Sequence, residues 1–347
     1  MAQMNEQLIR HVFDEMVKHR PALQKHTMVD DEEDEVVDYR VLGDLVIKNF
    51  PWPVGVELRR LFSASMRQLD RLRLDQIFKT IERTMQFTSF VMLSQLWKDV
   101  TTGKITIPES FSKDFGTRFL TLSMGNYSWI IRSVGNIYNS QSAEWFIPEM
   151  KDNFDKNFYN SLDFWIPERN EIGHYQINLT AEDIEKRCVE YEEKLTFILQ
   201  RISFFAKYKL VSVREIKVLK PKNQEAKFHH VIDLLNSSDS DFKAQEIDET
   251  KYAESQSVLM MKTIKSIDEY LNLSPLIIDT NCEIIDHKEK FDLKKDIFLY
   301  TKYKPEMMMF VGTEVTEKCD LRSLSNYPVL LGEFKQLMSV VTGTPFN

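Results

Sequence analysis

The sequence predicts a mainly α protein: an N-terminal helical bundle followed by a smaller α+β or β-rich C-terminal domain. Three observations carry this. Apolar side chains recur at three- and four-residue spacing over residues 74–97 and again over 184–205. Only 10 glycines and 11 prolines occur in 347 residues, too few for a turn-dense barrel throughout. Beyond Leu210 the texture changes to short runs of β-branched and aromatic residues.

In chain order, residues 5–20 carry Leu8, Val12, Phe13 and Met16 on one helical stripe. Residues 30–35 are six consecutive acids, which repel one another and bury nothing, so they read as a solvated loop. Pro51-Trp52-Pro53 opens the main helical region, because proline fixes the entry into a helix. From Val56 to about Val100 the spacing predicts helix, with Leu74, Ile77, Phe78, Ile81 and Met85 on one face and Phe90, Leu93 and Trp97 extending it to Thr101-Thr102-Gly103. Residues 111–138 read as a further helix, with Ser112 as a candidate cap and a break near Gly125 or Gly135. After Pro148, the apolar residues Phe154, Phe158, Leu162 and Trp165 run at helical spacing into Arg169. Thr180 followed by Glu182 and Asp183 is a helix start, and Ile184, Cys188, Tyr191, Leu195, Ile198, Ile202 and Phe205 make the clearest helical stripe.

Extended segments are predicted at residues 210–213, 216–218, 276–278, 296–300 and 308–311, with a hairpin turn around Pro305. Residues 236–241 are a polar loop, and residues 327–341 close the chain as a helix carrying Leu330, Leu331, Phe334 and Met338. These readings divide the chain into an N-terminal helix and acidic loop (1–50), a helical domain (51–209) and an α+β domain (210–347).

Composition narrows the function. At 43% hydrophobic and 28% charged, with 23 Phe, 12 Tyr and 5 Trp, the chain has a globular, aromatic-rich make-up. A formal net charge of −8 argues against a protein that coats long nucleic acid, whose affinity rests on phosphate contacts, but leaves room for a small RNA site with a local basic patch. Cys188, Cys282 and Cys319 are odd in number and widely spaced, which suggests neither a disulfide framework nor a zinc site and fits a reducing cytoplasm. The first residues show no signal-peptide pattern, and no apolar run approaches the ~20 residues that span a bilayer.

The most informative feature is Arg169-Asn170-Glu171-Ile172-Gly173-His174. On a helix, positions four apart share a face, so Asn170 and His174 align with Arg169 at the shoulder. Metal-free RNA cleavage needs a base for the 2′-hydroxyl proton and a cation for the charge growing on phosphate. Histidine titrates near neutrality and suits the first role; arginine is always charged and suits the second. Asn170 is placed to orient either. Pro167, two residues before Arg169, predicts a kink or a fresh helix start.

This hexapeptide in its helical setting, with the capped helix behind it, resembles the HEPN superfamily over roughly residues 56–209. These are helical domains of bacterial toxins, phage-defence proteins and CRISPR effectors, with the signature Arg, a polar residue, then His four to six positions after the Arg. The resemblance implies a metal-independent endoribonuclease that leaves a 2′,3′-cyclic phosphate, with Arg169, Asn170 and His174 catalytic, no cofactor, and a homodimer whose two motifs face one cleft. Pro167 departs from the uninterrupted helix of many relatives. The alternative is a non-catalytic HEPN-like scaffold that dimerises and binds a regulatory or sensor partner through its C-terminal domain; a purely structural reading pairs Arg169 with a carboxylate such as Glu168 or one on the helix neighbouring Glu171 and has His174 cap a helix end.

Other candidates are weaker. Arg59, Arg60 and Arg67, with Arg71 and Arg73, form either a phosphate-contacting patch or, by preference, a solvated face paired with Asp70, Asp75 and Glu82. His229-His230 with Asp233, Asp239 and Asp241 offers metal-ligand types, but adjacent histidines point in different directions, which makes joint ligation awkward, so no metal site is expected. Met307-Met308-Met309 reads as a strand with core and edge positions, and Cys188 as a core residue. The segment 51–61 is faintly similar to openings of helical domains in bacterial defence and signalling proteins.

Overall fold

The computed structural model of the protein describes residues 5–26, 38–174, 179–235, 243–255, 257–279, 296–314, 318–322 and 327–346, and for residues 172–174, 243 and 318–322 the backbone alone. Among these residues, ten α-helices and nine strands follow one another. The helices are α1 (Glu6–His19), α2 (Tyr39–Asn49), α3 (Trp52–Leu61), α4 (Arg71–Thr101), α5 (Glu109–Arg118), α6 (Met124–Ser140), α7 (Glu149–Asn153), α8 (Lys156–His174), α9 (Ala181–Arg201) and α10 (Pro328–Thr342). The strands are β1 (Lys209–Leu219), β2 (Lys227–Leu234), β3 (Lys243–Glu249), β4 (Val258–Met261), β5 (Tyr270–Asn272), β6 (Ile277–Asp279), β7 (Ile297–Lys304), β8 (Met307–Gly312) and β9 (Lys318–Arg322). No helix among the described residues is long and apolar enough to cross a membrane. The expected acidic loop at 30–35 and polar loop at 236–241 lie outside the described residues.

Helix gives way to strand at Tyr208–Lys209, where the sequence texture changes, but the compact units are drawn differently from the segments 51–209 and 210–347. One unit comprises residues 1–85 and 152–208 with 236–239; the other comprises 86–151, 209–235 and 240–347. The cut falls inside α4.

The first unit is helical. α1 buries Leu8, Ile9, Val12, Phe13 and Met16, the stripe its spacing predicts. Asp38 caps α2 by accepting from the backbone N–H groups of Arg40 and Val41. The helix expected from Val56 through Val100 is instead two: α3 ends at Leu61, a 3-10 turn covers Ala64–Met66, and α4 starts at Arg71. α9 starts on a complete capping box, in which the Asp183 N–H donates to the Thr180 hydroxyl at 3.1 Å and the Thr180 N–H donates to the Asp183 carboxylate at 3.2 Å.

A buried cation sits at the centre of this unit. Arg73 is 0% exposed. Its guanidinium is paired with Glu192 of α9 and donates to the Asn5 side-chain oxygen at 2.8 Å and to the Met66 carbonyl at 2.5 Å. Asn5 in turn donates its backbone N–H to Glu192 and its side-chain amide to the Leu61 carbonyl. One charge pair thus ties the start of α1, the α3–α4 connection, α4 and α9 together. Arg73 belongs to the run of arginines expected on a solvated face; its burial corrects that expectation, and Glu192 supplies the counter-charge that makes burial tolerable.

The second unit holds two antiparallel sheets, one of five strands in the order β3-β2-β1-β4-β5 and one of four in the order β6-β7-β8-β9. The first covers a core of Val211, Val213, Ile232, Leu234, Leu259 and Met261. β1 merges the two extended segments predicted at 210–218, with a bulge between Val213 and Glu215. Pro305-Glu306 turns the β7–β8 hairpin as expected. Around Tyr300 the rings of Phe119, Phe310 and Phe334 pack within 5.2–6.0 Å.

Residues 111–138 do break near Gly125 and not near Gly135: both glycines themselves lie inside α6, and the interruption between α5 and α6 spans 119–123. Its cause is strand pairing: the Leu122 N–H donates to the Thr301 carbonyl and the Tyr303 N–H to the Leu120 carbonyl, so this stretch runs beside β7. Ser112 does not cap α5, which begins after Pro108; its hydroxyl donates to the Val341 carbonyl at 2.8 Å.

Glu333 of α10 is half-buried, and burial, with the charge of Glu254, raises its pKa to about 7. A carboxyl whose pKa is higher folded than unfolded stabilises the fold at low pH and loses that contribution as pH rises toward 7.

Two outcomes are expected. Arg73→Ala destabilises the chain by about 3–5 kcal/mol in urea titration, because it strands a buried carboxylate, whereas Arg73→Met combined with Glu192→Leu recovers most of the loss. Equal losses in the single and double variants would contradict this. Glu333→Gln is more stable than the parent by ~2 kcal/mol at pH 8, with the difference vanishing near pH 4.5; a pH-independent difference would contradict the assignment.

Candidate functional site

The hexapeptide occupies the end of α8. Trp165, one turn before Arg169, anchors it: the indole is fully buried and packs edge-on against Phe78 of α4 at 5.6 Å and Tyr191 of α9 at 5.4 Å. α8 is continuous through Pro167, with no fresh start. Proline removes one backbone donor within the helix, and the packing of Trp165 on two neighbouring helices holds the axis through that gap.

Beyond Trp165 the side chains separate by role. Glu168 and Glu171 are held by Arg187 of α9, at 3.2 and 2.6 Å, and the Tyr191 hydroxyl also donates to Glu168. Burial works against the charge on Arg187, but the Glu171 hydrogen bond and the fields of Tyr191 and Glu171 outweigh it and hold its pKa above the ordinary value. Burial, then the bond to Glu168, raises the Tyr191 hydroxyl and keeps it a donor. Arg169 points elsewhere. Its side chain is 46% exposed, and its guanidinium lies 3.3 Å from Glu82 of α4, itself 34% exposed. Asn170 is exposed. The backbone of His174 ends α8, and its imidazole lies outside the described residues.

The structure therefore brings Arg169 and Asn170 to one exposed helix end with a carboxylate beside the guanidinium. Sequence spacing assigns Glu82 to the arginines of its own segment; the fold turns it to Arg169 instead. Glu82 lies one turn after Phe78, the residue that packs on Trp165, and Arg187 one turn before Tyr191. That i, i+4 relation to two aromatics of the α8 contact is the signal that locates both.

The basic candidates do not gather as one patch. Arg60 pairs with Glu57 at 3.0 Å, Arg71 with Asp75 at 2.9 Å, and Arg73 is buried. Arg59 is half-buried on α3 and Arg67 is exposed. The outer face of α9 presents Glu182, Glu185, Glu190 and Glu193 around Val189, with Lys186 among them, and repels phosphate.

Of the remaining candidates, Asp239 and Asp241 lie outside the described residues. His229 lies 2.7 Å from Asp248 across the β2–β3 pair, while His230 faces the opposite side, fully buried, and accepts from the Ala253 N–H. No group of three metal-ligating side chains occurs among the described residues. Met308 is core and Met307 and Met309 are half-buried, as an alternating strand requires. Cys188 is buried, its thiol pushed up to about 11 by burial.

Comparison with protein-family models, with curated proteins and with solved structures returns no match.

Arg187→Ala, which releases Glu168 and Glu171 together, is expected to lower stability by about 1–2 kcal/mol, and Glu82→Ala, which breaks an exposed pair, by under ~1 kcal/mol. Urea titration of both variants checks the order; a larger loss for Glu82→Ala would show that the Arg169 pair, and not the Arg187 bridge, holds α8.

Proposed function

We propose that this chain is a metal-independent endoribonuclease of a bacterial defence or toxin system, working in the cytoplasm as a HEPN-like homodimer. The observation that carries the reading is that Arg169 and Asn170 stand exposed on the last turns of a helix anchored by Trp165, with the guanidinium held by a half-exposed carboxylate and not sealed in the core. An ion pair this accessible to water is weak, so an incoming phosphate displaces Glu82 at little cost.

In the reaction, His174 takes the 2′-hydroxyl proton and the 2′-oxygen attacks the adjacent phosphorus. The P–O5′ bond breaks, and the products are a 2′,3′-cyclic phosphate and a 5′-hydroxyl that collects a proton from solvent or the partner site. Arg169 steadies the charge gathering on the phosphoryl oxygens, and Asn170 orients the phosphate or the base. Arg59, Arg60 and Arg67 add RNA contacts. The C-terminal region senses or restrains.

A specific observation favours a second reading. Arg169 already has Glu82 as a partner, and Glu168 and Glu171 flank it in sequence, which suits a non-catalytic dimerising adaptor as well.

Incubating the protein, Arg169→Ala and His174→Ala with single-stranded RNA in EDTA separates the two. The ribonuclease reading expects cleavage to cyclic phosphate ends by the parent and losses of 100-fold or more in each variant. Equal cleavage by all three, or none by the parent across a panel of RNAs, supports the adaptor.

A further inference from the structure

The geometry points to a separate ligand site in the second unit: a cleft of about 390 Å³ suited to a free mononucleotide. It does not rest on the ribonuclease reading. Three chain segments converge on it: the end of α4 with the turn that follows, the α6–α7 connection, and the chain around β4 and β5. A cavity of this size falls in the range that takes small organic ligands.

The lining has two chemistries. Lys98, Lys104 and Lys262 bring three ammonium groups to one opening. Lys98 donates to the Tyr270 carbonyl at 3.0 Å, and Lys262 sits 3.1 Å from Glu269 and 5.3 Å from the Phe146 ring centroid. Lys104 is 3.8 Å from Asp99. These are exposed or half-exposed partners, which a phosphate displaces readily. The exception is Asp99, which is buried: its Oδ2 accepts from the Tyr138 hydroxyl at 2.6 Å and from Gln95 at 3.1 Å, and its Oδ1 is the oxygen that faces Lys104. Glu144, the other acid of the lining, is exposed, so the lining itself holds three lysines against two acids, with Glu269 beyond it on Lys262.

The second chemistry is aromatic. Trp145 and Phe146 both line the cleft, half-buried. Trp145 is stacked on the buried Tyr138 ring at 4.1 Å, so the indole is already fixed in place while its remaining surface faces the opening. A pre-fixed ring beside lysines suits a planar base joined to a phosphate: the ring stacks and the ammonium groups take the charge. A bare anion would use only the lysines, and a neutral ring only Trp145 and Phe146.

The test is titration calorimetry on the full chain with AMP, GMP, CMP and UMP, alongside inorganic phosphate, adenosine and a short single-stranded RNA. At least one mononucleotide is expected to bind at one per chain, ten-fold or more tighter than phosphate or adenosine. Lys98→Glu with Lys262→Glu, and separately Trp145→Ala, each weaken it ten-fold or more. Lys104→Glu, at an exposed position that tolerates substitution, weakens it several-fold and keeps the test valid where another variant fails to fold by circular dichroism. Absence of nucleotide binding at millimolar concentration, binding unchanged in all folded variants, or RNA binding that is tighter than every mononucleotide and is weakened ten-fold or more by these same cleft variants overturns the proposal.

Discussion

The helical unit depends on a charge it could not bury alone. Arg73 is sealed from water, and a guanidinium in that position is tolerable only while Glu192 and Asn5 stay against it. Such a pair adds little net stability over a well-packed apolar substitute; its contribution is to penalise every arrangement in which α9 or the start of α1 slips relative to α4. The register of α9 against α4 then decides where Tyr191 and Arg187 lie, and those two side chains decide where the end of α8 goes. The exposed Arg169 and Asn170 are the last members of this chain of dependence.

The second unit is organised by an uncharged constraint. Tyr300 sits in β7 with its ring among Phe119, Phe310 and Phe334; its hydroxyl donates to the Phe119 carbonyl, and its own carbonyl accepts from Gln86. Residues 120–122 pair with β7 next to it, which ends α5 and starts α6. The helices of this unit are therefore cut to length by a sheet that follows them by nearly two hundred residues in the chain. The α6–α7 connection, carrying Trp145 and Phe146, belongs to the same unit as β4 and β5, and so a cleft forms from segments distant in sequence.

This division explains what was legible. Periodicity located α1 and α10 to within a residue or two, because each buries one continuous stripe, and the local Thr180 capping signal located the start of α9, whose end at Arg201 comes four residues before the stripe's last member, Phe205. The α5–α6 break was legible only as one of two positions, near Gly125 or near Gly135; its bounds were not, since their cause lies in β7. β3 was missed because Lys243–Glu249 is an edge strand with polar residues at nearly every position and no apolar alternation to read. β2 hid its buried His230 and Asp233 among what read as metal-ligand types. At the candidate site, the helical placement of Arg169 and Asn170 was readable from Trp165 and its predecessors, but Glu82 as the partner of Arg169 was not, because two helices had to be packed before the carboxylate had a direction.

On this architecture α4, α8 and α9 form one cooperative frame that presents the end of α8. Native-state hydrogen exchange on the unmodified protein tests that cooperativity, since opening free energies reveal which amides unfold together. Amides over residues 162–170 are expected to exchange with the same opening free energy as those of α4 before Met85 and of α9. Fast, independent exchange of that stretch of α8, while α4 and α9 stay protected, would contradict it.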